Sequence, residues 1–487
     1  MAPSLALVAW AVLLVGLLWF DPARESKVSA ALWVPLAWMF FLGSRAPSLW
    51  LGGQVGPGYG AAEVNVEGNP LNRTISLVLF GLSIAILLSR SFRWPDFFAK
   101  NWALSAFLLF SLLSVLWSDF PFPAFRKWFR DCGNYSMVLV VLSDPRPFEA
   151  LRTLLRRLGY LLIPLCIVLI KYFPTLSRLY DPWTGFQTFT GATASKNMLG
   201  IVCLVCGIYF FWDTVVRWQD RNGGKRRKQI LLVNALFMGM IVWLLNLSNS
   251  ATSRTCLVIA CLVILMAHSK LGQRRPGLLT VTIPCVFLLY ALLAFGIGLS
   301  GQFATAVGRD PTMSGRTEIW DAVLSQRANP LLGAGYESFW LGPRLERIWA
   351  LGLGAINEAH NGYLEVYLNL GYVGLFLLFL FVVGVYRNIC KMLKPFSVTA
   401  SLALATWTVF LFHNFTEVDF RSGLMWIFFV LVALAVEVDM EGARENGRQQ
   451  PARQRELLPS PLVAVHQPAP VGAGGTGVRR SFHRGRA

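Results

Sequence analysis

The sequence predicts an all-α polytopic membrane protein with about twelve or thirteen transmembrane helices and one long extramembrane loop. Three observations carry this. Apolar stretches able to cross about 30 Å of hydrocarbon as helices recur along most of the 487 residues. With 55% hydrophobic and 14% charged residues, the composition lies far outside soluble usage. Lysine and arginine collect in short runs between the apolar stretches, so the net charge of +18 is an orientation signal and not the footprint of a nucleic-acid binder.

The expected spans lie near residues 4–20, 28–43, 74–89, 101–117, 157–173, 197–216, 230–247, 253–268, 279–299, 362–386, 398–414 and 423–437. A weaker stretch at 134–143 is either a thirteenth span or a half-buried helix. No basic residue precedes the first span, and Arg24 and Lys27 follow it, which reads as an anchor with its N-terminus outside and not as a cleaved signal. The basic loops Arg90 to Lys100, Arg152 to Arg157, Arg217 to Lys228, Lys270 to Arg275 and Arg387 to Lys394 belong in the cytoplasm. Segments 44–73, 118–133, 174–196, 248–252, 300–361 and 415–422 then face outside.

Four parts follow: N-terminal helices to residue 299, the long outer loop 300–361 with Ser338 at an exposed site, C-terminal helices 362–437, and a disordered basic tail 438–487. Arg479, Arg480, Arg484 and Arg486 of that tail suit anionic lipid. The eight cysteines sit mostly in or beside apolar stretches and read as packing residues, the Cys203 and Cys206 pair included.

Against the orientation rule, outer segments carry Arg126, Lys127, Arg130, Lys196, Arg254, Arg309, Arg316, Arg327, Arg344 and Arg347. Snorkelling or a solvated loop face accounts for any one of them; as a set they point to an anionic ligand. Lys196 and Arg316 each open a helix, where unpaired N–H groups and the dipole already favour anions. After Arg316, the residues Ile319, Trp320, Val323 and Leu324 share one helical face, as for a helix lying on a membrane surface, and Asn329-Pro330 and Gly333-Ala334-Gly335 end it.

His360 is the one histidine in the long loop and stands directly before a span, which makes it the candidate general base, with a capping role as the bland alternative. Asn361, Glu365 and Asn369 repeat every four residues and form a polar stripe that must meet protein, water or substrate. No outer group of His, Cys and carboxylates has metal-ligand spacing and no Asp-x-Asp pair occurs there, so neither a metal nor another cofactor is expected.

Several of these residues together resemble the O-antigen ligase and polymerase superfamily. They are the Ser314-Gly315-Arg316 helix start, the turn from Asn329-Pro330 to Gly335, and His360-Asn361 ahead of Gly371 and Gly374. Trp117-Ser118-Asp119 with Arg126, Lys196-Asn197 with Gly200, and Asn249 to Arg254 agree with it, as does the stretch from His413 through Glu417 and Asp419 to Arg421. The resemblance covers most of residues 100–420. It implies a glycosyltransferase at the periplasmic face of a bacterial inner membrane, passing a glycan from undecaprenyl diphosphate to a hydroxyl on a glycan or glycolipid acceptor. Arg316 with Arg254, Lys196 and Arg126 would stabilise the departing diphosphate, since preplaced guanidinium groups suit such charge. Asn361 would bind substrate, and Glu417 would orient His360, bind the acceptor, or merely close a turn. Ligase and polymerase readings both fit; a transporter of the same lipid would show internal repeats, and none is evident.

Overall fold

In the computed structural model, residues 2–21, 28–52, 69–90, 92–180, 185, 187–220, 224–292, 316–326, 328–353, 356–394 and 396–456 are described, the last stretch with side chains to 441. Arg309, Arg327, Ser314, Gly315 and the tail arginines lie outside them. The chain is an all-α polytopic membrane protein. Among the described residues, six helices are long and apolar enough to cross a membrane, or seven if one bent pair is a single span. Shorter apolar helices at Pro3–Trp19, Ala30–Leu42, Pro276–Ala291 and Val398–His413 accompany them.

In order the main helices are α1 Pro3–Trp19, α2 Trp33–Leu42, α3 Pro70–Ser89, α4 Trp94–Lys100, α5 Trp102–Leu113, α6 Pro121–Leu142, α7 Pro147–Tyr172 and α8 Lys196–Gln219. Then come α9 Gly224–Ser248, α10 Ala251–His268, α11 Pro276–Ala291, α12 Arg316–Leu324, α13 Gly342–Trp349, α14 Gly362–Leu393, α15 Val398–His413 and α16 Leu424–Glu456. One small hairpin pairs Arg178–Tyr180 with Gln187–Phe189. Polar residues start the helices that matter below: Ser195, Ser250, Asn361 and Ser397 each accept a backbone N–H from the first turn of α8, α10, α14 and α15. The buried faces of α7, α8, α10, α14, α15 and α16 supply much of one continuous apolar core.

Several boundaries differ from expectation. The helix that fills the expected span at 101–117 is preceded by α4, which lies in the expected basic loop and meets it at a bend of 96°. The weak stretch at 134–143 is the second half of α6, where Met137 to Val141 are buried. Arg156 and Arg157 belong to α7 and not to a loop: both grip the buried Asp21, at 2.9 and 2.8 Å, so a local ion pair lets the helix start ten residues earlier than its apolar run. Residues 438–456 continue α16 where a disordered tail is expected, because Glu441, Ala443, Arg444 and Glu445 are good helix formers. Glu441–Glu456 is the described, helical part of a separate C-terminal unit.

The segment 316–353 is a small body with its own apolar core of Ile319, Val323, Phe339, Trp340, Leu345 and Ile348. Hence α12 turns Ile319 and Val323 inward and leaves Leu324 55% exposed; its stripe faces this core and not a membrane surface. The body is docked by two devices. Trp117 Nε1 donates to Leu332 O at 3.2 Å, Ser118 Oγ lies 2.6 Å from Ser338 Oγ, and Arg344 pairs with Asp119 at 2.8 Å. Ser338, expected exposed, is therefore fully buried.

The second device is a break in α14. Gly371 has φ +63, and the freed N–H groups of Tyr372 and Val373 donate to Pro330 O and Leu331 O at 2.9 and 3.1 Å. In return Ala334 and Gly335 donate to Leu368 O and Asn369 O at 3.0 and 2.9 Å. The Asn-Pro-Leu-Leu-Gly turn thus replaces the hydrogen bonds a kinked membrane helix would otherwise lose.

Candidate active site

The site is built on the loop between α15 and α16. His413, buried, holds Asp419 through Nδ1; Asn414 Oδ1 accepts from Asp419 N at 2.9 Å. Asn414 also fixes the start of α14: Gly362 N donates to its carbonyl at 2.8 Å, and a Cβ on Gly362 would come within 1.9 Å of Asn414 Oδ1. The His-Asn-Gly sequence is thereby clamped onto the loop, and no larger residue fits at the third position. Thr252 and Thr416 hydroxyls meet at 2.9 Å, tying the same loop to α10.

Glu417 is the hub and is only 5% exposed. Its Oε1 lies 3.3 Å from Arg316 Nη2, and its Oε2 accepts Asn197 Nδ2 at 3.1 Å. His360 Nδ1 stands 4.0 Å from Oε2 and 3.2 Å from Glu358 Oε1. The shorter contact is off-line, so Nδ1 makes no hydrogen bond among the described residues. Glu358 Oε2 reaches Arg421 Nη1 at 3.7 Å, extending the chain of charges. His360 has φ +48, a left-handed conformation rare for residues other than glycine and a form of strain that collects at functional sites.

Burial raises the Glu417 carboxyl above the usual 4.5, with Arg316, His413 and His360 pulling the other way. At Arg421, burial alone would lower the guanidinium, and Glu337, Glu358, Glu365 and Asp131 outweigh it and raise it. The arrangement can hold a histidine beside a carboxylate and present arginines on either side.

Of the residues singled out from sequence, Arg316, His360 and Glu417 meet. Asn361 spends its Oδ1 capping α14 on Leu364 N at 3.1 Å. Lys196 is the first residue of α8, next to the Asn197 that binds Glu417. Arg254 lies on α10, its Nη2 3.4 Å from Asn249 Oδ1, two residues from the Thr252 that touches Thr416. Arg126 stays on α6, its guanidinium 4.9 Å over Phe122. Four of the other loop cations have structural partners: Lys127 donates to Glu337 O, Arg130 pairs with Asp131, Arg344 with Asp119, and Arg347 with Gln326. The polar stripe of α14 meets protein, as Trp340 Nε1 donates to Glu365 at 2.7 Å and Phe339 N to Asn369 at 3.2 Å.

Asn197, Glu358 and Arg421 were not singled out for a role. The only sequence signal for Glu358 is its position two residues before His360. In space, Glu358, His360 and Glu417 offer ligand atoms within 4.8 Å of one another, a three-donor group that linear spacing could not reveal and that corrects the expectation of none. Both carboxylates already pair with arginine, Glu417 with Arg316 and Glu358 with Arg421.

The fold and this cluster define a multi-pass membrane protein with a site of charged side chains held between a loop body and helix ends. Residues 233–379 match the family model described as O-Antigen ligase. The exopolysaccharide production protein ExoQ of Rhizobium meliloti (strain 1021) is 26% identical over 381 residues, covering 74% of this chain and 83% of that protein. Both matches make the chain similar to the O-antigen ligase and polymerase superfamily of glycan-processing membrane enzymes. The matched segment contains Arg254, Arg316, His360 and Asn361, whereas Glu417, Lys196 and Arg126 lie outside it.

Proposed function

We propose that the protein is a membrane glycosyltransferase that moves a glycan from undecaprenyl diphosphate to an acceptor hydroxyl at the periplasmic face of the bacterial inner membrane, in the manner of an O-antigen ligase. The observation that carries this reading is the meeting of Arg316 and His360 on one buried carboxylate, Glu417. His360 takes the proton of the acceptor hydroxyl, the acceptor oxygen attacks the anomeric carbon, and the bond to the lipid diphosphate breaks with its electron pair on the leaving group. Glu417 stabilises the imidazolium that forms, as a carboxylate beside histidine does in other general-base sites. Arg316, with Lys196, Arg254 and Arg126, takes the charge gathering on the diphosphate. Charge neutralisation is assigned to these cations and not to a metal, in keeping with the arginine pairing of the carboxylates a metal would need.

The second reading is a polymerase extending an exopolysaccharide on its carrier, which the name of the ExoQ relative favours. Mass analysis of glycans in a strain lacking the protein separates the two. Unattached polymer on the carrier supports the ligase; accumulation of single repeat units supports the polymerase; normal glycans of both kinds contradict the whole proposal.

A further inference from the structure

A neutral histidine takes a proton on one ring nitrogen while the other keeps its hydrogen, and that second N–H needs an acceptor. In His360 the nitrogen Nδ1 is buried and has no hydrogen bond among the described residues, although the side chain is 27% accessible. The open part of the ring therefore excludes Nδ1 and leaves Nε2 for the substrate. A buried ring nitrogen without a partner is costly, and two carboxylates stand close enough to supply one.

Glu417 is the poorer of the two. It lies 4.0 Å from Nδ1, beyond hydrogen-bond reach, and its oxygens already serve Arg316 and Asn197. Glu358 Oε1 lies 3.2 Å from Nδ1 and misses a hydrogen bond in angle, not in distance. The outer torsion of a histidine is soft, so a small turn of the ring brings the N–H into line, and contacts of this kind tighten when substrate binds. On its far side, Glu358 Oε2 faces Arg421 Nη1 at 3.7 Å, which steadies the carboxylate. Glu365 and Glu417 are the other carboxylates that act on Glu358.

The backbone between Glu358 and His360 is fastened on both sides. Ala359 is fully buried; its N–H donates to Glu365 Oε2 at 3.0 Å, and its carbonyl accepts from Trp320 Nε1 at 2.9 Å. Beyond His360, Gly362 N donates to Asn414 O at 2.8 Å. These anchors hold His360 at φ +48, and the strain sets its ring beside the side chain two residues back.

We propose that Glu358, steadied by Arg421, is the positioning residue of His360. It accepts the Nδ1–H and so selects the tautomer whose Nε2 is free; the acceptor proton then arrives on Nε2 and the Nδ1 proton stays on the ring. Glu358 and Glu417 share the imidazolium charge between them. The proposal rests on the reading of His360 as base.

The test uses the full-length protein in nanodiscs, with lipid-linked glycan extracted from a strain lacking it as donor and the glycolipid of the same extract as acceptor. Glu358→Gln, Glu358→Asp, His360→Ala and the double variant Glu358→Gln/His360→Ala are compared in kcat and KM, with thermal unfolding as the check of folding. Glu358→Gln should lower kcat about tenfold or more at unchanged KM, because the imidazolium loses a charged hydrogen bond. Glu358→Asp keeps the charge and should retain more of kcat. On the His360→Ala background, Glu358→Gln should lower the residual transfer no further, since it acts only through the ring. Three results each overturn the positioning role: normal kcat or a change confined to KM in a folded Glu358→Gln, Glu358→Asp no more active than Glu358→Gln, or a further fall on the His360→Ala background. Normal transfer by His360→Ala alone overturns the base reading, and the proposal with it.

Discussion

Arg316 and Glu417, 101 residues apart in sequence, face each other at 3.3 Å with both side chains more than nine-tenths buried. A buried pair of this kind is costly to break from one side, because the remaining charge is left without a partner. It ties the first described helix of the loop body to the loop before the last helix, and so makes the site conditional on the docking of that body.

Arg316→Lys keeps the charge and loses the planar fork of donors. Transfer by this variant should fall about tenfold or more at unchanged expression, with donor handling affected more than acceptor handling. Kinetics with donor and acceptor varied separately check it; full activity would mean that charge alone suffices.

The pH dependence follows from Glu417. Its carboxyl is raised above 4.5 by burial, so the Arg316 ion pair and the support of the imidazolium are lost on acidification at a higher pH than for an exposed glutamate. The acid limb of the transfer rate should therefore lie above the ordinary glutamate range, and Glu417→Gln should lower the rate and remove that limb. Stability runs the opposite way: a carboxyl whose folded value lies above its unfolded one favours the fold below the unfolded value and loses that contribution as pH rises through the folded one. A pH-rate profile of both proteins decides.

Gly371→Ala should destabilise the protein by about 3 kcal/mol, from a left-handed φ and a collision with the facing backbone. The new Cβ would stand 2.2 Å from Leu331 O, whereas one on Gly384 of the same helix meets nothing within 4 Å. Thermal unfolding in detergent should show a large drop for the first variant and none for Gly384→Ala.

Topology offers a further check. Leu351 is 56% exposed on the loop body, and in a cysteine-depleted background Leu351→Cys should react with a membrane-impermeant thiol reagent from the periplasmic side. Lys225→Cys at the exposed start of α9 should react only after lysis. The reverse pattern would put His360 in the cytoplasm.

The helices were legible because long apolar runs leave a chain in lipid little choice. The caps at Ser195, Ser250, Asn361 and Ser397 are local too, yet Asn361 was read as a substrate contact and the serines were not singled out. Arg156 was misread as a loop residue since its partner Asp21 is 135 positions away, and Ser338 as exposed since it is buried by Ser118, 220 positions away. Arg316 and His360 could be picked out as a cation at a helix start and a histidine before a span. Their meeting on Glu417, and the arrival of Asn197 and Glu358, depend on tertiary contacts that no periodicity encodes. Lys127, Arg130 and Arg344 looked like ligand-binding cations; Lys127 and Arg344 fasten the loop body and Arg130 pairs with its neighbour Asp131, a distinction that only their partners reveal.

The central claim is that His360 removes the acceptor proton, and the most direct measurement is glycan transfer by His360→Ala reconstituted with lipid-linked donor and acceptor. The account predicts that this variant inserts, binds donor as the unaltered protein does, and transfers at a rate lower by about a hundredfold or more, the range for loss of a general base. Transfer at the unaltered rate would contradict it.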